Sequence, residues 1–108
     1  MAFDPDLAHR IREQLKLFPE DFTEKKMFGG LSFLYKGKMT VGIIKDELAV
    51  RVVASKMNEE LEKTTVREMD FTKRPMKEFI YVSQKGCEKE SDLLHYIELG
   101  LEHAKTKL

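Results

Sequence analysis

Between Leu31 and Val53 the chain reads in twos. Leu31, Phe33 and Tyr35 alternate with Ser32, Leu34 and Lys36; Met39, Val41 and Ile43 with Thr40, Gly42 and Ile44; Leu48, Val50 and Val52 with Ala49, Arg51 and Val53. A period of two is the mark of a strand that buries one face. The links between these runs are short and contain Gly37 and Asp46. A parallel crossover needs about a dozen residues or more, so these neighbours must pair antiparallel. The chain therefore folds around a meander, and something apolar must cover at least one face of it.

The flanking sequence supplies the cover. Asp4 suits an N-cap and Pro5 a first helical position, and Leu7, Ile11, Leu15 and Phe18 then recur at helical spacing. The spacing predicts a helix from Pro5 to Phe18, stopped by Pro19. The two-residue period starts at Thr23. Ser55 can cap a short helix through Glu62 that carries Met57 and Leu61. Val66 to Arg74 reads as irregular or weakly extended, because Arg74 precedes Pro75. Phe79 to Val82 is a fifth strand and Gly86 to Glu90 a loop. Ser91 can cap a last helix with Leu94, Ile97, Leu101 and Ala104 on one stripe. The predicted fold class is α+β: two layers, an antiparallel sheet of about five strands, two longer helices packed on one face, and a short helix.

At 108 residues the chain makes one domain, spanning residues 1–108, with room for a single two-layer core. Lysine plus arginine and aspartate plus glutamate number 19 each, so no global field attracts nucleic acid or an acidic membrane. The one cysteine, Cys87, has no internal disulfide partner. The polar N-terminus lacks the apolar stretch of a secretory signal, and no run is long enough to span a membrane, so a cytoplasmic location is the expectation.

Gly29-Gly30 invites a phosphate-binding reading. A phosphate cradle, however, delivers its anion to the N-terminus of a following helix, and a strand follows here. Two glycines between strands instead allow the positive φ of a tight hairpin, so Gly29 or Gly30 is predicted to have one. His95, Glu98 and Glu102 lie three and four apart on the last helix, as metal ligands can, but a solvated helix face has the same spacing. His9 and Glu13 read the same way. Cys87 stands between lysines and acids whose effects on a thiol oppose each other, and a nucleophile also needs a nearby base. No cofactor, metal ligand set or catalytic residue is predicted. Lys25, Lys26, Lys36, Lys38, Lys73, Arg74 and Lys77 cluster in or beside turns near Phe28, Tyr35 and Phe71. Such groups can grip single-stranded nucleic acid, but lysines at strand ends also keep sheet edges soluble.

The second sheet face carries the less obvious signal. Leu31, Phe33, Met39, Val41, Ile43, Leu48, Val50 and Val52, joined by Phe79 and Tyr81, are assigned to the helix-covered face. The opposite face then holds Leu34, Ile44, Ala49, Val53, Ile80 and Val82, relieved by Ser32, Thr40 and Arg51. A face in water should be polar, so an apolar one marks an interface. The alternative is a cover made by residues 66–75. Leu34, Ile44, Arg51, Val53 and Ile80, with Lys73 and Arg74 beside them, are the candidate partner surface.

Three blocks carry a family likeness: KKMFGGLSFLYKGKMTVGI from Lys25 to Ile43, DELAVRV from Asp46 to Val52, and MDFTKRPMKEFIYV from Met69 to Val82. In order and spacing the chain resembles the N-terminal domain of the TfoX/Sxy family of competence regulators. Lys77-Glu78 stands where that pattern leads one to expect Lys-Gly. The resemblance implies helices on one face of an antiparallel sheet and a role in regulating gene expression. Full-length regulators of this kind look like two-domain proteins. This chain ends just after its last helix, so a stand-alone copy of the first domain is the expectation. The resemblance brings no catalytic residues. The favoured reading is a non-enzymatic regulatory module acting through a protein partner or a homodimer. A nucleic-acid-binding module using the turn lysines is the alternative, and a metal- or thiol-dependent enzyme a weaker one.

Overall fold

The computed structural model of the protein describes residues 3–27, 29–68 and 78–108. Helix α1 spans Pro5–Leu15, and its start is the predicted one: the Asp4 carboxylate accepts from the backbone N–H of Asp6 at 2.9 Å and of Leu7 at 3.4 Å. It stops short of Phe18. Leu17 and Phe18 donate to carbonyls only three residues back, which tightens the end of the helix. Phe18 then turns edge-on to Phe22, 6.0 Å between ring centroids.

The strands are β1 (Phe22–Met27), β2 (Gly30–Tyr35), β3 (Lys38–Ile44), β4 (Glu47–Arg51), β5 (Val66–Glu68) and β6 (Phe79–Val82); α2 (Ala54–Leu61) follows β4, and α3 (Glu90–Thr106) ends the fold. They form one antiparallel sheet of order β1-β2-β3-β4-β6-β5. The expected meander is β1 to β4. Tyr35 pairs with Lys38, so Lys36 and Gly37 alone make the turn, both with positive φ (50° and 83°), as the right-handed strand twist favours. Met27 pairs with Gly30 across an equally short link, and Gly29 has the predicted positive φ, 73°.

The sheet has one strand more than the five expected. β5 lies in the stretch read as irregular or weakly extended and pairs with the outer edge of β6. Three residues of which only Val66 is apolar show no alternation to read. The serine caps are also corrected. Val53 caps α2 and Lys89 caps α3 with extended backbone and no side-chain hydrogen bond, so Ser55 and Ser91 fall inside the first turns. α3 instead begins with Glu90 and Asp92, whose charges complement its dipole. The predicted loop from Gly86 begins inside a short 3₁₀ turn, Gln84–Cys87.

Leu7, Ala8 and Ile11 of α1 and Leu93, Tyr96, Ile97 and Leu99 of α3 share one buried cluster with Leu31, Phe33, Val41, Ile43, Leu48, Val50 and Val52, and Met57 and Leu61 of α2 pack against it. This is the inner layer. The helix layer approaches the sheet closely at Gly100. A Cβ built there would lie 2.3 Å from the Thr40 carbonyl oxygen, so α3 rests directly on the backbone of β3.

Candidate functional site: the outer face of the sheet

Two register features decide which side chains reach the face away from the helices. Between β2 and β3 the register shifts after Phe33: Phe33 pairs with Val41, but Leu34 pairs with Met39. Thr40 is the extra residue of this bulge, and its hydroxyl donates to the Phe33 carbonyl at 2.8 Å. Met39 therefore moves from its expected inner position to the outer face. There its sulfur lies 3.8 Å from the Ser32 hydroxyl, and its methyl covers Gly42. The second feature is the pairing of β6 with β4. Leu48 faces Val82, Ala49 faces Tyr81, Val50 faces Ile80 and Arg51 faces Phe79. A strand that slips by one residue exchanges its two faces. Ile80 and Val82 thus belong to the inner core and are fully buried, while Phe79 and Tyr81 lie outside. The assignment of Ile80 to a partner surface is corrected on this ground, and that of Phe79 and Tyr81 to the helix-covered face with it. FIYV is apolar at every position, so its pattern could not say which alternate pair turns inward.

The outer face so defined holds a second apolar cluster of Ala49, Phe79 and Tyr81, with Met39 and Ile44 packed against it. Leu34, opposite Met39, and Ile44 are partly buried, as expected of a surface lying between core and solvent. Two arginines frame the cluster. The Arg51 guanidinium lies 4.7 Å from the Phe79 ring centroid, and that of Arg67 lies 4.3 Å from Tyr81. Arg67 also bonds Glu47 at 2.6 Å. Cation–π contacts of this kind stabilise by about 0.5–2 kcal/mol, more as they are desolvated. Val53 has left the sheet and caps α2. Lys73 and Arg74 lie outside the described residues, as does most of the alternative cover, residues 66–75; its first three residues extend the sheet edge as β5.

Among the described residues, the turn lysines do not converge on this face; Lys73, Arg74 and Lys77 lie outside them. Lys25 pairs with Ser32 at an outer position, Lys26 with Leu31 at an inner one, Lys36 is in the far turn and Lys38 follows it opposite Tyr35. The rings of Phe79 and Tyr81 are buried and each is overlain by a guanidinium, which leaves them no open face for a nucleic-acid base.

The other sequence candidates are held apart by ion pairs. His95 Nε2 lies 3.1 Å from Glu60, a buried α2 carboxylate that also accepts from Lys63 at 3.0 Å, while Glu102 bonds Lys56 at 2.8 Å. His95, Glu98 and Glu102 line an open groove of about 620 Å³. Among the described residues, no three histidine, cysteine or carboxylate side chains gather as a metal site. The Cys87 thiol is buried beside the carbonyls of Ser83 and Gln84, and burial pushes its pKa above the ordinary value despite the Arg10 guanidinium. Only the thiolate is reactive. Native protein is therefore expected to react with a disulfide reagent at least ~10-fold more slowly than denatured protein at pH 8, and equal rates would contradict the burial.

Sequence reasoning missed Glu78. It has a positive φ, 60°, a strained conformation for a side chain of this kind, and its carboxylate lies 3.2 Å from His103 Nε2 and 3.8 Å from Lys107 Nζ. Its only sequence signal was a glutamate where the resemblance led one to expect glycine.

An antiparallel six-stranded sheet, helices contributing to a core on one face, and an arginine-framed apolar cluster on the other define a two-layer α+β domain whose distinguishing surface is its outer sheet face. The family model described as the TfoX N-terminal domain matches residues 13–104, and the chain belongs to that family. No curated protein matches the chain. No described helix is long and apolar enough to cross a membrane.

Proposed function

We propose that this domain is a non-enzymatic regulatory module that works by protein contact, through the outer face of its sheet around Leu34, Met39 and Ile44. The observation that carries this reading is the apolar cluster on that face. Its three members are buried, but Leu34, Met39 and Ile44 around them are partly exposed, and partly exposed apolar side chains beside arginines are a usual composition of a protein contact. Membership of the TfoX N-terminal domain family supports the regulatory part. The balance of 19 basic and 19 acidic residues, with Lys25 and Lys26 on opposite faces of β1, argues against a nucleic-acid grip.

The test is Ile44→Lys, a partly exposed position where a long cation can reach water. Wild type is expected to sediment above monomer mass, or to retain one defined protein through purification with nuclease. The variant is expected to lose that association while its melting temperature falls by less than about 5 °C, equivalent to about 1 kcal/mol. Association unchanged by the substitution would refute the surface. DNA binding of submicromolar affinity that survives physiological salt would replace the reading with its nucleic-acid alternative.

A further inference from the structure

His103 is the one buried histidine among the described residues, and it sits where the helix layer meets the end of the sheet. Its ring is on α3. Nε2 lies 3.2 Å from Glu78 Oε1 yet has no hydrogen-bond partner of acceptable geometry among the described residues. The charged groups around it come from three places. Lys107, the C-cap of α3, stands 3.8 Å from the same Glu78 oxygen; Arg51 comes from the end of β4; Glu78 comes from the turn before β6. Glu78 also ties backbone to backbone, its carbonyl accepting from Val52 N–H at 3.0 Å. Arg51 reaches in the other direction, to the outer face, where it covers Phe79. The cluster therefore runs around the end of the sheet, from α3 on the inner side to Phe79 on the outer.

We propose that His103, Glu78 and Arg51 form an acid-sensitive latch: neutral His103 lets Arg51 remain over Phe79 and Glu78 hold the entry to β6, and a proton on His103 releases that corner of the outer face. A buried imidazolium would have one carboxylate as counter-charge but two cations, Arg51 and Lys107, as neighbours. Arg51 is the movable one, because among the described residues its guanidinium is half-buried against a ring rather than bonded to an acid. Burial, then Arg51, hold the His103 pKa below its ordinary 6.5, while Glu78 opposes them. A group depressed on folding contributes its stability in full above the unfolded pKa and loses it as pH falls through that value toward the folded one. The window of release therefore opens below about pH 6.5.

The latch concerns the face assigned above to partner contact, but it is tested without a partner. Hydrogen exchange is followed at pH 7.5 and pH 5.5, corrected for intrinsic rates, on peptides covering β4 with β6 and, as the control, β1 with β2. In wild type, protection of β4 and β6 is expected to fall by at least about twofold at the lower pH, while the control is unchanged. His103→Gln is expected to abolish the difference. Arg51→Met, which removes the opposing cation, should shrink it. Glu78→Gly relieves the backbone strain but also removes the carboxylate, and should enlarge it. Equal protection at both pH values, uniform loss over both regions, or the same response in His103→Gln would each overturn the latch. None of these results depends on whether Ile44→Lys affects association, so the two readings fail separately.

Discussion

Replacing Gly100 by leucine is expected to abolish folding, and replacing it by alanine to remove about 2 kcal/mol of stability, even though alanine is the better helix former. The two effects oppose each other. Alanine in a helix interior gains about 1 kcal/mol over glycine from backbone entropy. The added Cβ, however, would stand 2.3 Å from the Thr40 carbonyl oxygen and 2.6 Å from its carbon, against an ordinary carbon contact of about 3.5–4.0 Å. Those atoms are backbone, in a bulge residue held between Met39 and Val41, which are both paired with β2, and they cannot rotate away as a side chain can. α3 must lift instead, which loosens Leu93, Ile97 and Ala104, all fully buried. Overpacking costs about 1–3 kcal/mol when side chains can give way, and more where they cannot. The cost exceeds the propensity gain, so the alanine variant should melt about 10 °C below wild type. Thermal and urea unfolding of the two variants measure this. An alanine variant as stable as wild type would mean that α3 does not rest on β3 as described.

The second large effect is at Gly30, and its neighbour is the control. Gly29 has the positive φ, but a Cβ there would meet nothing within 4 Å. Gly29→Ala should cost only the conformational penalty, about 1 kcal/mol. At Gly30 a Cβ would lie 1.8 Å from the Ile43 carbonyl oxygen, with the Ile43 carbonyl carbon and Ile44 Cα at 3.0 and 3.3 Å. That is interpenetration with backbone, so β2 and β3 would have to part where Leu31 pairs with Ile43. Gly30→Ala is therefore expected to cost at least about 3 kcal/mol, in the range reserved for disrupted cores and strained backbone. Measured together by chemical unfolding, the pair separates the two demands on a glycine. If Gly29→Ala proves the more damaging, the turn conformation rather than the close strand contact is what requires the glycines.

The meander, the N-cap at Asp4, the tight turns at Gly29 and Gly37 and the placing of both long helices against the core were legible in the residues. Each is a local matter: a period of two or 3.6, a side chain that bonds its own helix, a link too short to cross over. The family likeness drew on the same stretches, and the matched region covers residues 13–104. Local rules ran out at β5, three residues that become a strand only because β6 offers an edge. They ran out again at FIYV, where every residue is apolar and the inward pair is chosen by register against β4.

Sequence alone thus determined that there would be two faces and that both would carry apolar side chains. Tertiary structure decided which residues stand on each. A single bulge at Thr40 turned Met39 outward, and the pairing of Val50 with Ile80 took Ile80 from the candidate surface into the core and put Phe79 and Tyr81 in its place. The same pairing set Arg51 over Phe79 and brought Glu78 to His103, across 25 residues of chain (103 − 78) that no local pattern connects. Alternation in a strand fixes faces only relative to one another. Which of the two meets the helices is settled by hydrogen bonds to a neighbouring strand, and those depend on residues far away in the sequence.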